Sequence, residues 1–279
     1  ECIKHRLGYV HPDGSVKPDG ELSKEEKMLV ASQIKDLAGK NILGTDFDNH
    51  LTRIAKMYMI MVDDGHSGIF TANALTPLSE LQANTGRIKE GCCDVILTNP
   101  PFGTKGKISR KDILEQFDLG YKWKKSPDTG KYTICDKIEK NMLGGKKKGD
   151  GQIPDVLFIE RCFHFLKKGG RMGIVLPDGD LSNQTLEYVR QWMIERMMIV
   201  GVISLPAHTF VPFGAGPKSS ILICVKPKDG IVPENYPVFF GKLSKIGYDV
   251  SGKVQYKRNE KGELIDIDGK LIDEKDELS

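Results

Sequence analysis

The feature that most constrains the fold is a short apolar strand that runs directly into two prolines. Residues 94–98, Asp-Val-Ile-Leu-Thr, have the pattern of a buried strand, and Asn99, Pro100, Pro101 and Phe102 follow at once. Each proline fixes its own φ and pushes the residue before it towards an extended conformation. Ligand sites of open α/β sheets lie at the carboxyl ends of the strands. The sequence therefore predicts a stiff binding loop at that edge of an α/β sheet.

This loop has the chemistry to hold a planar ring that carries an amino group. The Asn99 side-chain oxygen and the Pro100 carbonyl are two acceptors for an –NH2 group, and Phe102 offers a flat face for stacking. A purely structural interpretation is that the prolines end a core strand and Phe102 fills a gap. The strand before the motif and Gly103 after it favour the binding interpretation.

The motif resembles the Asn/Asp-Pro-Pro-Phe/Tyr/Trp signature of amino-methyltransferases that use S-adenosylmethionine. Families that act on DNA adenine, on guanine in RNA and on protein glutamine share this signature. Several later phrases are similar, in order and spacing, to the modification (methylase) subunit of type I restriction-modification systems. These phrases are residues 169–179, 202–206, 210–212, 218–222, 238–240 and 247–249. The resemblance runs from about residue 40 to about residue 250.

The resemblance implies methyl transfer from S-adenosylmethionine to the exocyclic N6 amine of adenine in double-stranded DNA. It assigns the catalytic site to Asn99, Pro100, Pro101 and Phe102. The adenine must leave the duplex at a cost of a few kcal/mol, and stacking on Phe102, roughly 1–3 kcal/mol, offsets part of that cost. The implied partners are a sequence-recognition (S) subunit and a restriction (R) subunit. The implied fold is an α/β, Rossmann-like S-adenosylmethionine-dependent methyltransferase sheet.

Cofactor contacts are expected after two further strands. Asp46 follows the strand pattern that begins at Asn41 and aligns with the acidic family position that bonds the cofactor ribose. Asn73, Ala74 and Leu75 follow a predicted strand over 68–72, where related enzymes face the cofactor adenine. A solvent-facing charge would also explain Asp46, and a turn would also explain Asn73.

One part of the family pattern is absent from this sequence. The Gly-rich cofactor loop should lie before the Asp46 strand, together with its own strand, and no such phrase is present. We therefore expect a sheet that lacks its first strand and Gly-rich loop, and a chain that binds S-adenosylmethionine poorly by itself. Residues 1–230 are interpreted as a truncated methyltransferase catalytic domain, and residues 231–279 as a C-terminal extension with a small hairpin over 262–273 and a frayed end.

A long basic insertion, residues 104–150, follows the motif. It contains thirteen Lys or Arg residues against seven acidic ones, together with Tyr121, Trp123 and Tyr132. Long loops in compact domains are usually functional or disordered. The insertion is therefore expected to contact DNA phosphates or to form a solvated flap, and the sequence does not choose between them.

Downstream patterns predict the remaining elements. A helix is expected from Pro154 with Lys167 and Lys168 in its last turn, and a strand over 171–176. A second helix over 184–197 and strands over 199–205 and 219–226 follow, and the first half contributes a helix over 49–62.

Composition agrees with a cytoplasmic globular protein. The 279 residues are 39% hydrophobic, with no apolar run of about 18 residues and no secretory signal. The six cysteines lack Cys-x-x-Cys spacing, which favours free thiols over disulfides or a metal site. Two other functions stay open: an amino-methyltransferase with an RNA or protein substrate, and a non-catalytic remnant that binds DNA or a partner subunit.

Overall fold

A computed structural model describes residues 2–61, 68–103, 106–144 and 150–265. It divides the chain into two compact units, Glu1–Lys89 and Glu90–Ser279. Within the described residues, no helix is both long enough and apolar enough to cross a membrane.

The first unit contains four helices and a pair of parallel strands among its described residues. Its elements are α1 (Cys2–Arg6), α2 (Lys24–Asn41), β1 (Gly44–Asp46), α3 (Asn49–Met61), β2 (Ile69–Thr71) and α4 (Leu78–Thr85). Strands β1 and β2 pair in parallel, with Asp46 opposite Thr71. A capping box starts α2, because Ser23 accepts from the Glu26 N–H and Glu26 accepts from the Ser23 N–H.

The predicted elements of this unit are found with shifted ends. The predicted strand start at Asn41 is wrong, because α2 continues through that residue and β1 begins only at Gly44. Helix α3 begins at Asn49 as predicted and is described to Met61, while Val62 lies outside the described residues. Strand β2 lies inside the predicted 68–72 range.

The second unit is built on a mixed five-stranded sheet. Its strands are β3 (Cys93–Thr98), β6 (Leu166–Pro177), β7 (Met198–Ser204), β8 (Ser219–Val225) and β9 (Phe239–Lys242). The order is β3-β6-β8-β7-β9, with the β3–β6 and β7–β9 pairs parallel and β8 antiparallel to both of its neighbours. The predicted α/β class is confirmed, and β7 and β8 match their predicted ranges to within one residue.

Three helices accompany this sheet: α6 (Pro154–Phe165), α7 (Asp178–Ser182) and α8 (Glu187–Arg196). Their apolar side chains meet those of the strands in one core, which includes Ile159, Ile174, Trp192 and Leu222, each at most 1% exposed. Burying side chains of this size stabilises the unit by about 1.5–3 kcal/mol each.

Two helix ends differ from prediction. Helix α6 stops at Phe165, so Lys167 and Lys168 lie in β6 rather than in a last helical turn. Leu166 pairs with Cys93 of β3 and is fully buried, and this tertiary pairing outweighs local helix propensity. The predicted helix over 184–197 is a short 3-10 turn, Gln184–Leu186, followed by α8.

The basic insertion is folded over its described residues, so the expectation of a solvated flap is wrong for them. It contains α5 (Lys111–Leu114) and an antiparallel hairpin of β4 (Trp123–Lys125) and β5 (Tyr132–Ile134). Leu114, Phe117 and Leu119 are fully buried.

Near the C-terminal end, β10 (Lys257–Arg258) pairs antiparallel with β11 (Leu264–Ile265). The predicted hairpin over 262–273 lies largely outside the described residues, and its described part, β11, pairs with β10.

Candidate active site

The Asn99–Phe102 motif leaves the sheet at the carboxyl end of β3. Thr98, the last residue of β3, lies opposite Ile174 of β6. Asn99 is exposed and Pro100 is buried. Pro100 thus anchors the loop, while the Asn99 amide is accessible to a ligand.

Phe102 packs against an aromatic residue from a second loop. Its ring centroid lies 5.9 Å from that of Phe210, and the two planes meet at 79°. Phe210 belongs to the loop after β7, which continues into a 3-10 turn, Val211–Phe213. Edge-to-face contact is a favourable arrangement of two rings and orients both. Phe102 is only half-buried, so part of its ring is available to a ligand.

A buried carboxylate holds the end of this loop. Asp155 is 1% exposed in the first turn of α6, and it accepts hydrogen bonds from the backbone N–H groups of Val156, at 2.9 Å, and Gly103. Burial raises the pKa of Asp155, and backbone hydrogen bonds, from Val156, Gly103 and Asp155 itself, oppose that change. Gly103 has a φ of 104°, a conformation that glycine adopts readily, so the chain can turn here.

Two more carboxylates follow β6 and lie in contrasting environments. Burial acts to raise the pKa of Asp178, but hydrogen bonds from Lys218 Nζ and Ser220 Oγ, both 2.7 Å, lower it overall. Asp180 is 3% exposed, and its Oδ2 atom has no hydrogen-bond partner among the described residues. Burial, with a smaller contribution from Asp155, raises the pKa of Asp180 to about 7.

Neither Asp155 nor Asp180 is among the site residues predicted from the sequence. A signal for Asp155 was present, because this acidic residue stands between Pro154 and Val156 in an apolar helix. A carboxylate in such a position has to be paired or hydrogen-bonded. Nothing in the Pro177–Asp180 phrase marks Asp180 as buried.

In the first unit, Asp46 ends β1 at the carboxyl edge of its strand pair. Asp46 Oδ1 accepts a hydrogen bond from the Asp48 N–H at 2.8 Å, and the carboxylate is half-buried. The neighbouring Asp48 accepts from the His50 and Leu51 N–H groups, at 2.7 and 3.3 Å, and so caps α3. Asp46 Oδ2 has no hydrogen-bond partner among the described residues, and it can therefore accept a hydrogen bond from a hydroxyl group.

The residues after β2 form a turn at the same edge. Asn73 Oδ1 accepts from the Leu75 N–H at 3.0 Å, and the Asn73 carbonyl accepts from the Thr76 Oγ1 hydroxyl at 2.9 Å. Leu75 is 2% exposed, so its side chain belongs to the core of the unit, while Ala74 is half-buried. The turn explanation of Asn73 thus holds for its oxygen, and the amide nitrogen has no acceptor among the described residues.

The structure therefore places the predicted residues in two groups. Asp46 and Asn73–Leu75 share an edge of the parallel strand pair in the first unit. Asn99–Phe102 lie in the second unit, together with Asp155 and Phe210.

Comparison with known protein families shows which family the chain belongs to. The model of the N-6 DNA methylase family matches residues 19–267, most of the sequence. The chain belongs to this family. A comparison with curated proteins finds no match.

Solved structures of restriction-modification proteins are similar in fold to this N-6 DNA methylase. The first is a chain from a study of complex assembly and conformational transition in the type I R-M system, with 19% identity, a TM-score of 0.51, and coverage of 84% of this chain and 39% of that one. The M protein of the type I restriction enzyme EcoKI has 15% identity, a TM-score of 0.45, and coverage of 80% and 38%. The ATP-dependent type ISP restriction-modification enzyme LlaBIII, solved bound to DNA, has 12% identity, a TM-score of 0.51, and coverage of 80% and 16%. This chain thus spans about two fifths of the length of the first two.

Proposed function

We propose that this chain carries the methyltransferase part of a type I modification subunit and acts on the N6 amine of adenine in double-stranded DNA. The observation that carries the proposal is the Asn99–Phe102 motif at the carboxyl end of β3 in a member of the N-6 DNA methylase family. The fold neighbours support the type I assignment, and a cytoplasmic location follows from it.

The motif supplies acceptors and a stacking surface for a flipped adenine. The Asn99 side-chain oxygen and the Pro100 carbonyl accept the two amine hydrogens, which favours a tetrahedral nitrogen whose lone pair can attack. Phe102, oriented by Phe210, stacks on the purine ring.

The first unit supplies groups that suit S-adenosylmethionine, which brings the electrophilic methyl group to the reaction. Asp46 Oδ2, without a partner among the described residues, fits a ribose hydroxyl. The Asn73 amide nitrogen and the Ala74 backbone N–H, which have no acceptor there either, can donate to the cofactor adenine. The core position of Leu75 limits this residue to packing beneath that ring.

The experiment that tests the proposal is methyl transfer to duplex DNA by the complete protein with Asn99→Ala. We expect loss of methylation with unchanged thermal stability, because the Asn99 side chain is exposed. Asn99→Asp should keep partial activity, since it retains the acceptor oxygen. Asn84→Ala is the matched control, because Asn84 is an exposed asparagine in α4. Retained activity in Asn99→Ala would refute the clamp.

The substrate and partners are tested in the same preparation. We expect a labelled methyl group of S-adenosylmethionine to be incorporated into adenine of duplex DNA. We also expect the protein to co-purify with an S subunit and, in the full assembly, with an R subunit. Label in RNA or protein instead would support another amino-methyltransferase. Absence of transfer despite DNA or subunit binding would support a non-catalytic remnant.

A further inference from the structure

We propose that a lysine-lined groove in the folded insertion binds the phosphate backbone of the DNA beside the adenine site. This inference rests on the proposed function and names a surface that receives part of its substrate. The groove has a volume of about 700 Å³. Its charged lining residues are Lys107, Lys111, Lys122, Lys140, Glu139 and Asp150.

The charge of the groove favours an anion. Four lysines face two carboxylates, and one of these, Glu139, forms an ion pair with Lys111. Lys122 and Lys140 are exposed, and neither has an ion-pair partner among the described residues. A lysine ammonium is a compact point charge that suits phosphate. Two unpaired cations in one concave surface therefore point to a polyanion.

The lining argues against a small planar ligand. Small-molecule pockets are mostly apolar and aromatic with a few polar groups. Among the described residues, the apolar side chains of the lining are those of Met142 and Leu143, and none of these lining residues is aromatic. An open, lysine-rich groove suits a backbone that passes through it.

The groove has a fixed frame. Lys122 N–H donates to the Asn141 carbonyl at 2.8 Å, which holds the backbone of Lys122 next to the residue that follows Lys140. Glu160 of α6 accepts hydrogen bonds from the backbone N–H groups of Asp118 and Leu119, at 2.8 and 2.9 Å. These bonds tie the insertion to α6. The lysine side chains can move, but their attachment points are held.

Chain connectivity places the groove near the adenine site. Lys107 is five residues after Phe102, so their Cα atoms are at most about 18 Å apart. One turn of B-DNA is about 34 Å. A duplex whose adenine reaches Phe102 therefore has phosphates within reach of the groove.

The test is the salt dependence of duplex binding by the complete protein, measured by fluorescence anisotropy. For the double variant Lys122→Ala, Lys140→Ala, we expect weaker binding. The slope of log K against log salt concentration is negative, and its magnitude should fall by about 2, because each lost phosphate contact reduces that magnitude by roughly 0.9. Lys122→Arg with Lys140→Arg should keep the slope. Melting temperatures should be unchanged, since both side chains are exposed.

The charge-matched control is Lys124→Ala with Lys131→Ala, two exposed lysines of the same insertion outside the groove. An equal slope change in this control, or no change in the groove variant, would overturn the inference. Failure of the groove alone is recognised when the wild type methylates duplex DNA but the slope does not depend on Lys122 and Lys140. If the slope depends on Lys122 and Lys140 and no methyl transfer occurs, the inference about the groove holds and the proposed function fails.

The inference about the groove would also be overturned if the groove variant lost affinity for single-stranded RNA but not for duplex DNA.

Discussion

The carboxylate of Asp155 accepts a hydrogen bond from the backbone N–H of Gly103 and so ties the Asn99–Phe102 loop to the first turn of α6. The stiffness of the loop therefore does not come from its two prolines alone. Their φ angles fix its start, and a buried acceptor on a neighbouring helix fixes its end.

Removal of this acceptor should damage both stability and activity. Asp155→Ala leaves the Gly103 N–H without its acceptor, and we expect a loss of about 1–3 kcal/mol in the free energy of unfolding. Asp155→Asn keeps an acceptor oxygen and should lose less. Denaturant unfolding measures both, with Asp128→Ala, an exposed residue in the β4–β5 turn, as the control. An Asp155→Ala protein as stable as the control would contradict the role given to Asp155.

The ring of Phe102 should matter more than its hydrophobicity. Phe102→Leu keeps an apolar side chain but loses the π-face, and we expect kcat/KM for DNA methylation to fall by roughly 10- to 100-fold, the equivalent of about 1–3 kcal/mol of stacking. Phe102→Tyr keeps the face and should stay within a few-fold of wild type. Steady-state kinetics on a duplex substrate provides the measurement, and equal losses in both variants would argue against stacking.

The fold of the insertion includes a close approach of the backbone at Gly120. A Cβ atom on Gly120 would lie 2.1 Å from the Leu114 carbonyl oxygen, whereas a Cβ atom on Gly106 would meet nothing within 4 Å. We expect Gly120→Ala to destabilise the protein by roughly 1–3 kcal/mol through this overpacking. Gly106→Ala should be nearly neutral. Thermal melting of the two variants compares the same chemical change at crowded and open positions.

How far the sequence predicts this structure depends on how local the cause is. The end of β3 at Asn99 and the strands near 199–205 and 219–226 were predictable, because proline geometry and apolar runs act within a few residues. The end of α6 was not, since Leu166 leaves the helix in order to pair with Cys93, more than seventy residues earlier in the chain.

The site shows the same division. Asn99 and Phe102 could be identified from their own motif, whereas the contacts of Phe102 with Phe210 and of Gly103 with Asp155 join residues that are distant in sequence. The fold of the insertion was equally hidden. Its lysines dominate the composition, but buried Leu114, Phe117 and Leu119 decide its structure.

Three groups, the buried carboxylates of Glu160 and Asp180 and the half-buried imidazole of His164, should give the protein an unusual dependence of stability on pH. Burial raises the pKa of Glu160 and of Asp180 to about 7, from ordinary values of 4.5 and 3.8. Burial lowers the pKa of His164 to about 4, from 6.5. Between about pH 4.5 and 6.5, the folded state therefore binds more protons at the two carboxylates than the unfolded state does, and fewer at His164.

The signs of these contributions to the stability differ. Stability falls with rising pH wherever the folded state binds more protons, and it rises where the folded state binds fewer. Two falling contributions against one rising one predict a net loss between pH 5 and 6.5, by up to about 1.4 kcal/mol per pH unit.

Single substitutions should change this slope in opposite directions. Asp180→Asn removes one falling contribution, so the plot of the free energy of unfolding against pH should become flatter between pH 5 and 6.5. At pH 8 the stability should rise by about 1–3 kcal/mol, because an ionised carboxylate without a partner for Oδ2 is replaced by a neutral amide. His164→Gln removes the rising contribution and should make the profile steeper. Urea unfolding at half-unit steps from pH 5 to 8 measures both, and Asp128→Asn, at an exposed position, serves as the control. A group that keeps its proton up to about pH 7 in the folded state contributes to the difference in bound protons between the folded and unfolded states, and its removal must reduce that difference. If Asp180→Asn leaves the slope unchanged or makes it steeper, Asp180 is therefore not the buried acid that the structure indicates.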